Sequence, residues 1–147
     1  MAFGFKYESL LNYRQHLKEI AEVAFSKAQS ELRHQEMVLE ACREQLNEYS
    51  RSLGVSLKKK ISSDDLKSYI DYLNGLRDKI GSQQEVVERC QVVVNEKRTT
   101  LLARTKEYRM IEKLKEKDLQ KWKEKQRLLE QKTMDETAIM RHGRRFM

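Results

Sequence analysis

The chain has 147 residues, of which 36% are charged and 39% hydrophobic, with no proline and only five glycines. Since a compact globular domain carries about 25% charged residues, this composition excludes an ordinary globule and favours long amphipathic helices. The net charge of +7 is small beside 30 basic and 23 acidic side chains, and their interspersed signs are typical of a solvated coiled-coil surface.

The first predicted helix runs from about residue 5 to residue 53. Apolar side chains recur there at alternating spacings of three and four, which indicates a helix that packs along one seam. The upstream run comprises Leu10, Tyr13, Leu17, Ile20 and Ala24, and the downstream run comprises Leu32, Gln35, Leu39, Cys42, Leu46, Tyr49 and Leu53. Two successive spacings of four join the runs through Ala28, and this stutter predicts a local unwinding of the supercoil.

A turn is predicted at about residues 54–63. Gly54 directly follows the last apolar position and suits the left-handed cap that ends many helices. The consecutive lysines at 58–60 repel one another and form a short polar link between the two helices. Ser62 and Ser63 then offer capping oxygens, and the acids at 64–65 favour the start of a second helix.

The second predicted helix runs from about residue 64 to residue 140, and a basic tail covers residues 141–147. Counting every seventh residue from Leu66 gives ten positions, and nine of them are apolar or aromatic. These positions are Leu66, Leu73, Ile80, Val87, Val94, Leu101, Tyr108, Lys115, Trp122 and Leu129. A companion line three residues later, which begins at Tyr69 and Leu76, completes the stripe of a coiled coil but turns polar in its middle.

Together these elements predict an all-α, two-helix antiparallel coiled-coil hairpin whose second helix is longer than its first. Folding back about residue 59 places Leu39 near Ile80 and keeps Cys42 too far from Cys90 for a disulfide. Beyond about residue 115 the second helix then has no partner helix, over a length on the order of 40 Å. This part still carries apolar side chains, namely Trp122, Leu128, Leu129 and Met134. An apolar stripe without a partner predicts binding to another protein.

No residue pattern indicates catalysis, a metal site or a bound cofactor. The three histidines are scattered, and no motif for a metal or a phosphate is present. The chain also lacks an apolar run of the roughly 20 residues that span a bilayer, and its start does not resemble a secretion signal. We therefore expect a non-enzymatic protein of the cytoplasm. A nucleic-acid-binding coiled coil remains an alternative, although acids interrupt the lysine-rich segment at 113–127.

Several short motifs carry a resemblance that heptads alone do not produce. They are Phe3-x-Phe5, Leu10-Leu11-x-Tyr13-Arg14, Asn47-Glu48-Tyr49, Ile61-Ser62-Ser63 followed by Tyr69, Leu73 and Leu76, and Glu130-Gln131-Lys132-x-Met134-Asp135-Glu136-x-Ala138 with Arg141. With these motifs the sequence resembles, over nearly its whole length, the FliJ family, the coiled-coil soluble component of the bacterial flagellar type III export apparatus.

The resemblance implies an adaptor and chaperone escort of flagellar protein export. Such a protein would bind the export ATPase hexamer as a central stalk, the cytoplasmic domain of the membrane export gate, and unladen export chaperones. It implies gate and chaperone contacts at Cys42, Gln45, Tyr49, Tyr72, Leu76, Lys79 and Gln83. For the ATPase it implies contacts at Phe3, Phe5, Trp122, Leu129, Met134, Asp135 and Glu136.

The same resemblance implies a cytoplasmic protein that associates peripherally with the inner membrane at the export apparatus. The stalk protein of a virulence injectisome is an alternative of similar architecture. The sequence leaves open the oligomeric state, the identity of the chaperones, and whether the stalk rotates.

Overall fold

The computed structural model describes residues 2–145, and two helices account for nearly all of them. Helix α1 spans Glu8–Lys58 and helix α2 spans Ser63–Arg145. No strand occurs within the described residues. Side-chain contacts such as that between Gln35 and Gln83 join the two helices across the turn. The predicted all-α antiparallel hairpin, with the longer helix second, is confirmed.

The turn is shorter than the sequence pattern predicted. Helix α1 continues through Gly54 and ends at Lys58, and no glycine among residues 2–145 adopts a positive φ. The predicted left-handed cap at Gly54 is therefore wrong. A contact from the last turn of α1 helps to explain the extension, because the Ser56 hydroxyl lies 3.5 Å from the hydroxyl of Tyr69 on α2. At the far end, α2 likewise passes Gly143, where a non-helical tail was expected.

The start of α2 follows the predicted capping chemistry. The side-chain oxygen of Ser62 accepts a hydrogen bond of 3.2 Å from the backbone N–H of Asp65. The Ser62 carbonyl accepts a bond of 3.0 Å from the N–H of Leu66. Asp64 and Asp65 lie in the first turn, where negative charge stabilises a helix. This cap fixes the point at which the chain turns back.

The chain divides into two compact units, and Ile20–Leu102 forms the one that contains the turn. Its seam is mostly apolar and comprises the buried residues Ala21, Leu39, Cys42, Leu73, Leu76, Val87 and Val94. One polar layer interrupts it, because the Gln83 amide donates to the Gln35 carbonyl oxygen at 3.0 Å and to its Oε1 at 2.7 Å. Both cysteines, Cys42 and Cys90, are free thiols, as predicted.

The other unit comprises the described residues of Met1–Glu19 and Ala103–Met147. Leu11 is its single buried hydrophobic residue within the described part of the chain. Charged groups make the contacts between its helices: Arg14 pairs with Glu107 at 2.7 Å and Lys115 with Glu8 at 3.0 Å. These ion pairs are about one-third to one-half exposed, so each contributes only a fraction of a kcal/mol and is screened by salt. This unit is therefore held more weakly than the first.

Burial along the upstream part of α1 follows the predicted line only in part. Tyr13 and Ile20 are more than half exposed. Leu10, Leu17 and Ala24 of the predicted line are partly buried, but the two buried residues lie on a neighbouring line of shielded positions, namely Leu11, Arg14, Lys18, Ala21, Phe25, Ala28 and Leu32. The spacings between the positions on this neighbouring line alternate between three and four residues, so the predicted stutter is absent from it. The apolar pattern did not include Arg14 and Lys18, which contact α2 from this line: Arg14 pairs with Glu107, and the Lys18 ammonium lies 4.6 Å from the centroid of the Tyr108 ring.

Candidate protein-binding sites

Three tyrosines gather near the turn, in the unit Ile20–Leu102. The ring centroid of Tyr49 lies 4.3 Å from that of Tyr72 and 5.3 Å from that of Tyr69. The side-chain amide of Gln45 donates a 3.2 Å hydrogen bond to the Tyr72 hydroxyl. Tyr49, Tyr69 and Tyr72 are called the tyrosine cluster below. The sequence prediction did not include Tyr69 in a site, because its place on the companion line of α2 indicated only a seam residue.

The cluster changes the acidity of its central member. Shielding from water raises the pKa of Tyr49, and the negative charges of Tyr69 and Tyr72, when they ionise, raise this pKa further. The neutral phenol is therefore the favoured form of Tyr49 in the folded protein. As a neutral amphipathic ring next to a half-exposed Tyr72, it suits contacts with an apolar or hydrogen-bonding partner surface.

The predicted gate and chaperone residues divide by exposure. Gln45, Tyr72 and Lys79 are exposed, and Tyr49 is partly exposed. Cys42 and Leu76 are buried in the seam, each with 5% of its surface exposed. Gln83 is partly buried and uses its amide within the hairpin. The structure thus brings Gln45, Tyr49 and Tyr72 together at the surface, whereas Cys42, Leu76 and Gln83 support the helices beneath it.

The last part of α2, residues 127–145, is called the free end. Every residue from 127 to 144 is exposed, and Gln126 is the last partly buried position among the described residues. The large apolar side chains of the free end are Leu128, Leu129, Met134, Ile139 and Met140, with 48–72% of their surfaces exposed. The predicted site residues Asp135 and Glu136 are exposed as well. An isolated helix rarely displays this much apolar surface unless a partner covers it.

Local hydrogen bonds stabilise α2 where it enters and crosses the free end. Arg127 pairs with Glu124 at 2.7 Å, and this contact lowers the pKa of the Glu124 carboxyl and raises the pKa of Arg127. Further along, the Thr133 hydroxyl donates to the Leu129 carbonyl at 3.0 Å, and Thr137 donates to Thr133 in the same way at 2.8 Å. These interactions are all within α2, so they leave its apolar side chains available.

The aromatic residues predicted for the ATPase site make ring contacts within the chain. The Phe3 and Trp122 rings lie 5.9 Å apart between centroids, at 57°. The Phe5 ring lies 5.8 Å from that of Tyr7. The expectation that α2 has no partner helix past about residue 115 agrees with a first helix that begins at Glu8 and pairs there with Lys115. Residues before α1 cover Trp122, which is partly buried, and only the free end stays uncovered.

The described residues contain no group of three or more His, Cys, Asp or Glu side chains placed to hold a metal ion. Within the same range, neither helix offers a segment long and apolar enough to cross a bilayer. The candidate binding features are accordingly the tyrosine cluster and the exposed apolar side chains of the free end. Both are surfaces of the kind that bind proteins.

Comparison with known protein families identifies a relationship over nearly the whole chain. A family model described as Flagellar FliJ protein matches residues 3–146. No curated protein and no solved structure matches the chain. The family match covers nearly the whole sequence and includes both candidate surfaces.

Proposed function

We propose a binding role in flagellar protein export for this chain, which belongs to the FliJ family. Membership makes it a flagellar export-related protein of a non-catalytic family. In the proposed role the chain is an adaptor that joins the export ATPase, the membrane export gate and the unladen export chaperones. The observation that carries this proposal is the set of exposed apolar side chains on the free end, which have no covering element among the described residues.

The free end is the proposed contact for the export ATPase hexamer. A helix whose Leu129 and Met134 project into solvent can enter a narrow opening and bury those side chains against its wall. Asp135 and Glu136 lie between the apolar positions and would set the orientation through charge. Trp122 lies at the base of this surface with Phe3 against it, whereas the Phe5 ring contacts Tyr7. A central stalk needs such a projecting helix.

The tyrosine cluster is the proposed contact for the gate and the chaperones. Tyrosine is enriched at the centres of protein interfaces because its ring buries apolar area while its hydroxyl stays hydrogen-bonded. Tyr72 and Gln45 present such a surface on two helices at once. Lys79 extends this surface along α2, and the buried Cys42 and Leu76 support it together with the partly buried Gln83. The proposed location is the cytoplasm, with peripheral association at the inner membrane.

Two alternative functions, an injectisome stalk and a nucleic-acid-binding coiled coil, have less support than flagellar export. A virulence injectisome protein would share the hairpin, but the matching family is flagellar. Nucleic-acid binding would require basic side chains concentrated on one face. The structure instead pairs Lys115 with Glu8, and Arg127 with Glu124, in the lysine-rich segment.

Capture of the export ATPase from the same source, with nucleotide present, tests the proposal. The test variant carries Leu129→Ser and Met134→Ser, which remove apolar side chains from the free end. The matched control carries Leu102→Ser and Met110→Ser, since these residues are similarly exposed at 64% and 63% but lie outside the free end. We expect the test variant to lose capture and the control to retain it. Equal capture by both variants would place the ATPase contact elsewhere.

A further inference from the structure

The residues before α1 shield part of the apolar face of α2. Residues 2–7 are not in a helix, and Phe3 lies against the ring of Trp122. The ion pair of Glu8 with Lys115 fixes the beginning of α1 seven residues before Trp122 on α2. Trp122 is therefore partly buried, although α1 itself begins only at Glu8. Residues 2–7 are called the N-terminal segment below.

The shielded Trp122 lies on the same side of α2 as Leu129 of the free end. Trp122 and Leu129 are seven residues apart, which places them on one side of a helix, two turns from each other. Leu129 is 48% exposed, whereas Trp122 is partly covered by Phe3. A partner that follows this face of α2 from Leu129 toward the turn thus meets the Phe3 ring first.

The contacts that hold the N-terminal segment are weak. The Phe3 and Trp122 rings meet as one tilted pair, and the Phe5 ring packs on Tyr7 in the same segment. The nearby ion pairs of Arg14 and Lys115 are partly solvated. An aromatic pair of this kind shifts an equilibrium by about two- to tenfold. The segment can therefore leave α2 at low cost.

We propose that Phe3 is a displaceable clasp over Trp122, which masks the part of the binding face nearest the paired helices until a partner takes its place. The partner competes with Phe3 for the same tryptophan surface. The apparent affinity is therefore the affinity of the open chain multiplied by the fraction of chains in which Phe3 has left Trp122. The shielding of Trp122 by Phe3 is a property of the free chain and needs no partner. Only the identity of the partner, the export ATPase, rests on the proposed function.

Tryptophan fluorescence tests the mask without any partner, because Trp122 is the single tryptophan of the chain. Phe3→Ala should move the emission of the full-length protein to longer wavelength and increase its quenching by acrylamide. Tyr7→Ala is the matched control, since Tyr7 belongs to the same segment but its ring contacts Phe5. Emission and quenching that are the same in Phe3→Ala and in the unmodified chain would overturn the clasp.

Titration with the export ATPase then tests displacement. Phe3→Ala should bind about two- to tenfold more tightly than the unmodified chain, and Tyr7→Ala should bind like the unmodified chain. Weaker binding of Phe3→Ala would overturn the clasp, because Phe3 would then contact the partner directly. If the unmodified chain does not bind the ATPase, the proposed function fails, and the fluorescence result still decides whether Phe3 masks Trp122.

Discussion

Replacement of Leu76 by alanine separates the structural role of this residue from a role at the binding surface. Leu76 is 5% exposed and lies in the apolar seam of the unit Ile20–Leu102, three residues from the equally buried Leu73. Its sequence position had suggested a binding contact beside Tyr72. Burial instead makes Leu76 part of the packing that supports that surface.

The expected cost follows from its surroundings. Leucine-to-alanine changes in cores cost about 2–5 kcal/mol, and the cost depends on how well the site collapses. No side chain described in this hairpin is less than 2% exposed, so the seam is one layer deep and can partly close. We therefore expect a loss of about 2–3 kcal/mol in the free energy of unfolding. With a urea dependence of about 2 kcal/mol per molar, the midpoint falls by roughly 1 M.

Urea unfolding followed by circular dichroism at the helix band measures this change. Leu102→Ala is the matched control, because the same side chain is 64% exposed there and its loss should change stability by less than about 0.5 kcal/mol. An equal effect of the two substitutions would refute the placement of Leu76 in the seam. A stability loss in Leu76→Ala also means that weakened partner binding by this variant is no evidence of direct contact.

Three further predictions concern the tyrosine cluster and the polar layer. Tyr72→Ser should abolish capture of the gate domain and of chaperones, whereas Ile70→Ser should not, since the two residues are 45% and 44% exposed; equal losses would argue against the cluster as the contact. Replacing Gln35 and Gln83 together by leucine should raise the free energy of unfolding by about 1 kcal/mol and so raise the urea midpoint, because a polar layer in the seam specifies register at a cost in stability. A lower midpoint would contradict this. The raised pKa of Tyr49 means that its neutral form stabilises the fold below about pH 10, and that this stability is lost as the pH rises through the raised pKa. The urea midpoint should therefore fall less between about pH 9 and pH 11 in Tyr49→Phe than in the unmodified chain, and equal falls would contradict the assignment.

The hairpin could be predicted from the sequence because its determinants are local and periodic. The heptad line from Leu66 identifies α2, and the oxygen of Ser62 identifies its first turn. The approximate fold-back point follows from the same signals. The contact of Gln35 with Gln83 lies close to the predicted pairing of Leu39 with Ile80.

The remaining features depend on contacts that no periodicity encodes. Gly54 permits a cap but does not require one, and the helix continues there. Arg14 and Lys18 were not expected to contact α2 because a count of apolar residues leaves charged side chains out. The contact of Phe3 with Trp122 joins a non-helical segment to a helix more than 100 residues away, so the apolar periodicity of the helices did not predict it. Binding by the predicted site residues stays a prediction.

Hydrogen exchange of the full-length chain, with and without the export ATPase hexamer, tests the central claim most directly. Amides of residues 127–145 should exchange quickly in the free protein, because a single helix without packing opens readily. We expect the ATPase to slow exchange in that segment while the tyrosine cluster near the turn keeps its free-state rate. Slowed exchange at the turn with no change in residues 127–145 would contradict the claim that the free end binds the ATPase.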